Sequence, residues 1–455
     1  MRIPTSATIE LNNINVEIGT PMSKDTGLLP LVKEVRASSW FSTFIDELHS
    51  TLSKSHGVTH GFSNRSKLES AILSIIAGLS LGKRTPNAIA QAFAKDPLWA
   101  AVMGRSFTQR ELSRLMEVLE AKGYEHLRRA LLFSGSAGQE AVWADMDSSL
   151  LPLYGEQEGG AHNGHYHKFG YHAGWAVDVR THRILAIWLN EGQEHTSKGQ
   201  ADQLLWMLNQ GVKIDLSRFD AGIISPDMLN AMEGRVKHFV SRIKPNAVLR
   251  GLAEDVRPAS PLYAGARAYS EIRYAAKSWA KEERVVVKFV APDGPKGAAA
   301  MFPDEYFFVT NLEESPNEVV RIYLDRGESE RMFGEFSSTF QPNFRHAEMR
   351  KNEVWAMLVA LAHNVLSDLR EKLPHEEKPK KEKIERRPAF LAEPWVFGYQ
   401  RTLHAVRQTV LPLLTRVRDM ALRIPCEIKK IKRRLHITAR PDVLAPEWFP
   451  ALMKA

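Results

Sequence analysis

The chain holds a single cysteine, Cys426, in 455 residues. That excludes an intrachain disulfide framework and any zinc cluster built on cysteines. The opening stretch, MRIPTSATIELNN, lacks the apolar core of a signal peptide. Long uncharged apolar runs are missing too, so no bilayer-spanning helix is expected, and the expected location is the cytoplasm. Neither charge sign dominates: 61 Lys and Arg against 53 Asp and Glu leave +8. Such a moderate basic excess is compatible with nucleic acid without being diagnostic of it. What is present is ordinary for a soluble protein with real cores: a hydrophobic fraction of 44%. The length suits roughly two to four domains.

Along the chain, residues 1 to about 135 have apolar residues at helical period, as in LLPLVKEVRASSWFSTFIDELHSTL. Thr108 and Glu111 fit a capping box at the start of a polar helix. Arg110, Arg114, Arg128 and Arg129 make this region a candidate DNA-binding module; a helical bundle with a solvated charged face is the plain alternative. From Glu140 the period changes to two. EAVWADMDSS places Val142, Ala144 and Met146 on one face and Trp143, Asp145 and Asp147 on the other. YHKFGYHAGWAVDV and HRILAIWLN read as a hairpin around Arg180 and Thr181. QADQLLWMLNQ is helical, and KIDLSRF is a strand ending at Asp220. Ser225 and Pro226 start a further helix as N-cap and N1, and VKHFVSRIK is a strand. The order strand, strand, strand, helix, strand, helix, strand matches a ribonuclease-H-like α/β domain.

The stretch RIYLDRGESERMFGEFSSTFQPNFR (321–345) reads as a helix. There Tyr323, Arg326 and Glu330, spaced i, i+3, i+7, would share one face. A phenol, a guanidinium and a carboxylate suit a site that holds a phosphate and a metal together. A surface Arg–Glu pair beside a core Tyr is the plain alternative. Asp147, Asp220 and Glu330 would bring three carboxylates from separate elements. Like charges gathered in a fold are unfavourable unless a cation accompanies them. Two divalent ions about 4 Å apart can clamp the attacking and leaving oxygens of an in-line phosphoryl transfer. Mg²⁺ accepts carboxylates, phosphate and water as ligands, with Mn²⁺ able to substitute. His162, His165, His167 and His172 are irregularly spaced and lack cysteine partners, so they read as polar loop residues near DNA rather than a zinc site.

Several separated stretches then carry a family resemblance: AFAKDPLWAAVMGRSFTQRELSRL; ADMDSSLLPLYGEQEGGAHNGHYHKFGYH; RFDAGIISPDML with HFVSRIKPNAVL; SEIRYAAKSW with RVVVKF; YFFVTNL; and IYLDRGESERMFGEF. In that order and spacing the chain resembles insertion-sequence transposases of the DDE class, in the IS-four-like superfamily and its thirteen-eighty group. The superfamily's Y-x-x-R-x-x-x-E signature falls on Tyr323, Arg326 and Glu330. The resemblance implies a ribonuclease-H-like α/β core with a β-rich insertion between the second Asp and the Glu. It implies Mg²⁺-dependent cleavage and joining of double-stranded DNA at terminal inverted repeats, through a hairpin or directly on target. A homodimer on paired ends and a nucleoid location in a bacterium go with it. Asp147, Asp220 and Glu330 would be catalytic and metal-holding. Asp145 shares Asp147's strand face and is expected to share in holding the metal; as the catalytic acid Asp147 is preferred, because the family carries a hydroxyl residue two positions on, here Ser149. The family Lys seven residues after the Glu is replaced by Ser337, which removes one phosphate contact.

The expected domains are an N-terminal helical domain (1–136), a first core part (137–245), an insertion (246–305), a second core part (306–373), a charged linker (374–398) and a basic helical C-terminal tail (399–455). DNA contacts are expected from Tyr323 and Arg326. They are also expected from Trp279, by stacking on a displaced base, although a core Trp is the simpler role. In the tail, Lys429, Lys430, Lys432, Arg433 and Arg434 are expected to meet phosphates. A nuclease without strand transfer, or an inactive DNA-binding derivative, are the alternative functions.

Overall fold

Two short strands, β1 (Ser6–Glu10) and β2 (Met22–Ser23), precede the expected helices. These are α1 (Leu28–Ala37), α2 (Ser39–Lys54), α3 (Arg65–Ser80), α4 (Pro86–Ala94), α5 (Pro97–Met103), α6 (Gln109–Val118) and α7 (Tyr124–Gly135). A π-helical turn, Leu119–Gly123, joins the last two. The capping box forms. Thr108 Oγ1 accepts the Glu111 N–H at 3.3 Å, and Glu111 Oε2 accepts the Thr108 N–H at 3.1 Å, satisfying donors that a helix start leaves open. The computed structural model describes residues 6–10, 22–23, 28–55, 61–94, 96–263, 265–292, 299–300, 302–340, 342, 344–372, 426–431 and 434–439. It divides into two units. Met1–Ser38, Glu69–Leu112 and Val365–Ala455 make one, and Ser39–Leu68 with Ser113–Asn364 the other.

The second unit is built on a nine-stranded mixed sheet. Its elements are β3 (Val142–Pro152), β4 (Ala161–Asn163), β5 (Lys168–Asp178), β6 (Arg183–Asn190), α8 (Gln200–Asn209), β7 (Ile214–Phe219), α9 (Pro226–Met232) and β8 (Val236–Ile243). There follow α10 (Ala247–Asp255), β9 (Leu262–Tyr263), β10 (Arg267–Tyr274), β11 (Glu283–Val290), β12 (Ala299–Ala300), β13 (Asp304–Thr310), α11 (Pro316–Leu324), α12 (Gly327–Phe340) and α13 (Met349–Lys372). β6 pairs antiparallel with β5 and β5 with β3, while β3, β7 and β8 run parallel. Ser225 caps α9 as expected, its Oγ accepting the Met228 N–H at 3.2 Å. The residues expected as an insertion are not set apart from the sheet. Their strands β10 and β11 continue it through β13, which pairs antiparallel with β8. β9 and β12 form a separate two-stranded ladder.

The period of two in β3 sorts its side chains onto two faces. Val142, Ala144 and Met146 join Phe219, Ile223 and Met228 in the core on one side. Asp145, Asp147 and the Asp147 neighbour Trp175 lie on the other. There the Trp175 ring meets Phe333 and Phe336 of α12, with ring centroids 5.2 and 4.8 Å away. Behind β6, Gly135 of α7 lies so close that a Cβ would fall 2.4 Å from the Ile184 carbonyl oxygen; only glycine permits that approach.

The C-terminal tail corrects the sequence reading. Residues 426–431 and 434–439 form antiparallel strands, β14 (Cys426–Ile431) and β15 (Arg434–Ala439), not helix. They pair with β2 and β1 in a four-stranded sheet of the first unit. The β-branched, alternating RLHITA is at home in a strand, and the density of Lys and Arg beside it hid that period. Lys429 and Lys430 are therefore in β14 and Arg434 in β15. Lys432, Arg433, the expected linker and residues 399–425 lie outside the described residues. No described helix is long and apolar enough to cross a membrane.

Candidate active site

Asp147 and Asp220 arrive at the same end of the sheet. Asp147 follows Met146, which pairs with Phe219, and Asp220 is the residue after Phe219. Glu330 comes from a different direction, in the first turn of α12. The expected single helix through 321–345 is broken. Tyr323 sits in the last turn of α11, Arg326 in the connecting turn, and Glu330 beyond it, so the three do not share one helical face. The cause is visible in the hydrogen bonds. The Arg326 N–H turns to Tyr323 O at 3.0 Å, and the Ile322 carbonyl accepts Arg218 Nη1 at 2.8 Å instead. Asp325 and Gly327, both poor helix formers, flank the break.

The break aims the signature residues at the acids. Arg326 Nη2 donates to Asp147 Oδ2, and its Nη1 lies 3.8 Å from Glu330 Oε1. The Tyr323 hydroxyl donates to Asp220 Oδ1 at 3.3 Å. Arg326 is buried, and its Nε has no acceptor among the described residues. Burial pushes the Asp147 carboxyl above the usual carboxylate range; Arg326 and the Ser148 N–H pull it back, and the charges of Asp220 and Glu330 add to the rise. The three acids thus share one electrostatic environment. The Tyr323 phenol is pushed up to about 12, chiefly by burial, with Arg326 opposing and Asp220 adding.

Asp145 is sealed. It is fully buried, and Arg218 grips it through Nε at 2.6 Å and Nη2 at 2.8 Å. The Ser329 hydroxyl donates to the same carboxylate. Both its oxygens are engaged, in contrast with the expectation that it shares the metal-holding role. Arg218 ties this pair to α11 and Ser329 ties it to α12, so the pair anchors both halves of the signature.

Around the acids lie Gln200, Ser148, Thr196 and Tyr166, which the sequence reading passed over, and His172, which it placed near DNA. Asp147 O accepts Gln200 Nε2 at 3.2 Å. The neighbouring Ser148 bonds Thr196 and His172, the latter at 2.9 Å. His172 is thereby buried and held, its Nδ1 2.6 Å from Glu194 O, while His162, His165 and His167 are exposed. Tyr166, at the tip between β4 and β5, has its phenol raised by burial and by the charges of Asp147 and Asp220. Its aromatic place amid the His-rich loop was the available signal.

Three expected DNA contacts are placed elsewhere or are already engaged. Trp279 lies between β10 and β11 at the end of the sheet away from Asp220, beside the Tyr274–Glu283 pair. It packs edge-on against Tyr274 at 5.4 Å and against the core. Arg128 stacks on Trp206 at 3.7 Å, and Arg129 bonds Glu47 at 2.6 Å. Arg110 is exposed.

Among the described residues no three acidic, His or Cys side chains stand close enough to hold a metal ion. Oxygen donors nevertheless make up the acid set, and Asp147 and Asp220 meet a cation and a hydroxyl donor rather than each other. That chemistry fits a hard divalent cation.

Among curated proteins none matches the chain. Among solved structures it is similar to a piggyBac transposase synaptic complex with hairpin DNA, determined by cryo-EM. The identity is 11%, the TM-score 0.46, and the match covers 88% of this chain and 80% of that one. Residues 8–386 match the family model described as transposase DDE domain group 1; the chain belongs to that family.

Proposed function

We propose that the chain is an insertion-sequence transposase of the IS-four-like superfamily, thirteen-eighty group, which cuts DNA at terminal inverted repeats and joins the freed end to target DNA. The carrying observation is the shared environment of Asp147, Asp220 and Glu330 around Arg326 and Tyr323, in a chain of the transposase DDE family. The strand order β6-β5-β3-β7-β8, antiparallel and then parallel, supports a ribonuclease-H-like core.

Asp147, Asp220 and Glu330 would hold the divalent ion, Mg²⁺ with Mn²⁺ able to substitute. Such an ion neutralises charge on a phosphate and eases deprotonation of the attacking hydroxyl. The chain's own residues position the reactants. Arg326 presents a forked donor to a phosphate oxygen, and the single Tyr323 O–H, turned from Asp220 to the phosphate, would add a second donor. Gln200 fixes the β3 backbone at Asp147. In the first step a P–O bond to water oxygen forms and the bond to the 3′ oxygen breaks, leaving a 3′-hydroxyl and a 5′-phosphate. In the second, that 3′-hydroxyl attacks another phosphodiester and one P–O bond again replaces another, so neither step needs an external energy source. The active form is a homodimer on paired ends, and the basic residues from Lys429 to Arg434 add phosphate-backbone affinity.

The test is Glu330→Gln, which keeps size and loses charge. Gel-shift binding to a duplex carrying the element's terminal repeat should be retained while Mg²⁺-dependent nicking disappears. Full nicking by the variant would remove Glu330 from the reaction.

A further inference from the structure

The sheet face that carries Asp145 and Asp147 continues past β8. Arg218 pairs with Val240, placing Arg242, two residues on, on that same face and toward the Asp220 end. Arg242 pairs with Phe308, whose ring packs against Tyr323 at 5.0 Å. Two residues back along β13, Tyr306 pairs with Lys288, and Lys288 pairs with Tyr269. Arg267 lies two residues from Tyr269 on the same side. The register therefore sets Arg242, Lys288 and Arg267 in a row across β8, β11 and β10, at the end of the sheet where the acids sit. Each cation lies two residues further along the sheet than the last, so with strands about 4.8 Å apart and a rise of about 3.3 Å per residue the row is a diagonal of roughly 20 Å from Arg242 to Arg267.

These cations are not balanced from within. Arg242 and Lys288 both stand over the Tyr306 ring, at 5.1 and 5.6 Å from its centroid. Among the described residues none of the three makes an ion pair. Two further acids lie on this part of the face. Glu271 is taken by Arg284 at 2.6 Å, and Asp304 shares the register row of Arg267, with Val290 between them. Lys288 is half-buried, and burial, Arg267 and Arg242 lower its pKa. Gathering like charges weakens a fold, so the arrangement has its counterpart outside the chain. At the inner end, the charge of Arg242 reaches the Tyr323 phenol, which itself donates to Asp220.

We propose that Arg242, Lys288 and Arg267, set around Tyr306, form a phosphate track that leads one DNA strand into the acid site. The ring faces of Tyr306 are used by the two cations, so the track reads the sugar-phosphate backbone and not the bases. This inference rests on the proposed transposase function for its ligand. It assigns to residues 242–288 a contact separate from the Tyr323–Arg326 grip and from the basic tail.

The probe is fluorescent duplex DNA, one carrying the terminal repeat and one of random sequence. Each is titrated with the full-length chain over a range of salt concentrations. Each phosphate contact contributes about 0.9 to the log-salt slope, so Arg242→Gln/Lys288→Gln/Arg267→Gln should flatten it by about two to three units on both duplexes. The single variant Arg242→Gln should flatten it by about one. Removing mutual repulsion should leave the melting temperature at or above that of the wild type, which guards against misfolding as the cause. An unchanged slope in a folded variant overturns the track, as does a loss confined to the terminal-repeat duplex. Binding is read here, not cleavage. A wild type that binds but never cuts would sink the transposase reading and leave the track standing. A wild type that binds neither duplex would sink both.

Discussion

Two carboxylates stand two residues apart on one face of β3, and their surroundings treat them differently. Asp145 is dry and bidentate to Arg218; Asp147 is half-buried, with its ionisation disfavoured by burial. Removing one member of a buried ion pair strands the other, so Asp145→Ala should cost about 3–5 kcal/mol of unfolding free energy, measured by denaturant titration. A loss under about 1 kcal/mol would deny Asp145 its structural role. Asp147 behaves in the reverse sense. A pKa raised in the folded state gives stability that is present below the unfolded pKa and is lost as pH rises through the folded value. Asp147→Asn cannot ionise, and should melt no lower than wild type at pH 7 while losing cleavage. The sequence narrowed the first acid to this pair, because period two puts both on one face. It could not choose by environment, since the choice depends on Arg218 and Ser329, 73 and 184 residues away.

At the scale of elements, what was legible was periodic and local. The alternation in β3, the Ser225–Pro226 helix start and the Thr108–Glu111 box are all present as read. The α11–α12 break was not legible, because a tertiary bond from Arg218 to Ile322 O helps end the first helix. The β-rich segment after residue 246 was foreseen, but its attachment to β8 through β13 depends on pairing between distant strands. Helix α13 carries a further consequence. Glu353 is held against Tyr124 and accepts the Leu189 N–H at 3.3 Å; burial raises its pKa to about 7, against the pull of these bonds. The raised value means its contribution to stability is fully present below about pH 4.5 and is lost as pH climbs through about 7. That loss amounts to up to about 3 kcal/mol. Glu353→Gln should flatten the fall in melting temperature between pH 5 and pH 8. Parallel curves for variant and wild type would show that Glu353 does not titrate in that range.

For the second unit as a whole, one sheet serves two ends of a single task. Its parallel strands deliver Asp147 and Asp220 to one edge, and its antiparallel extension lines up cations along the same edge. The proposed function requires Asp147, Asp220 and Glu330 to act together on a divalent ion, and calorimetric titration of Mn²⁺ tests that most directly. It would compare the wild type with Asp147→Asn, Asp220→Asn and Glu330→Gln, each confirmed folded by its melting transition. Loss of a partner outside the ligand set already weakens metal affinity about 10–100-fold, so each variant should bind Mn²⁺ at least about tenfold more weakly. Wild-type affinity in any folded variant of the three would contradict the account and remove that acid from the site.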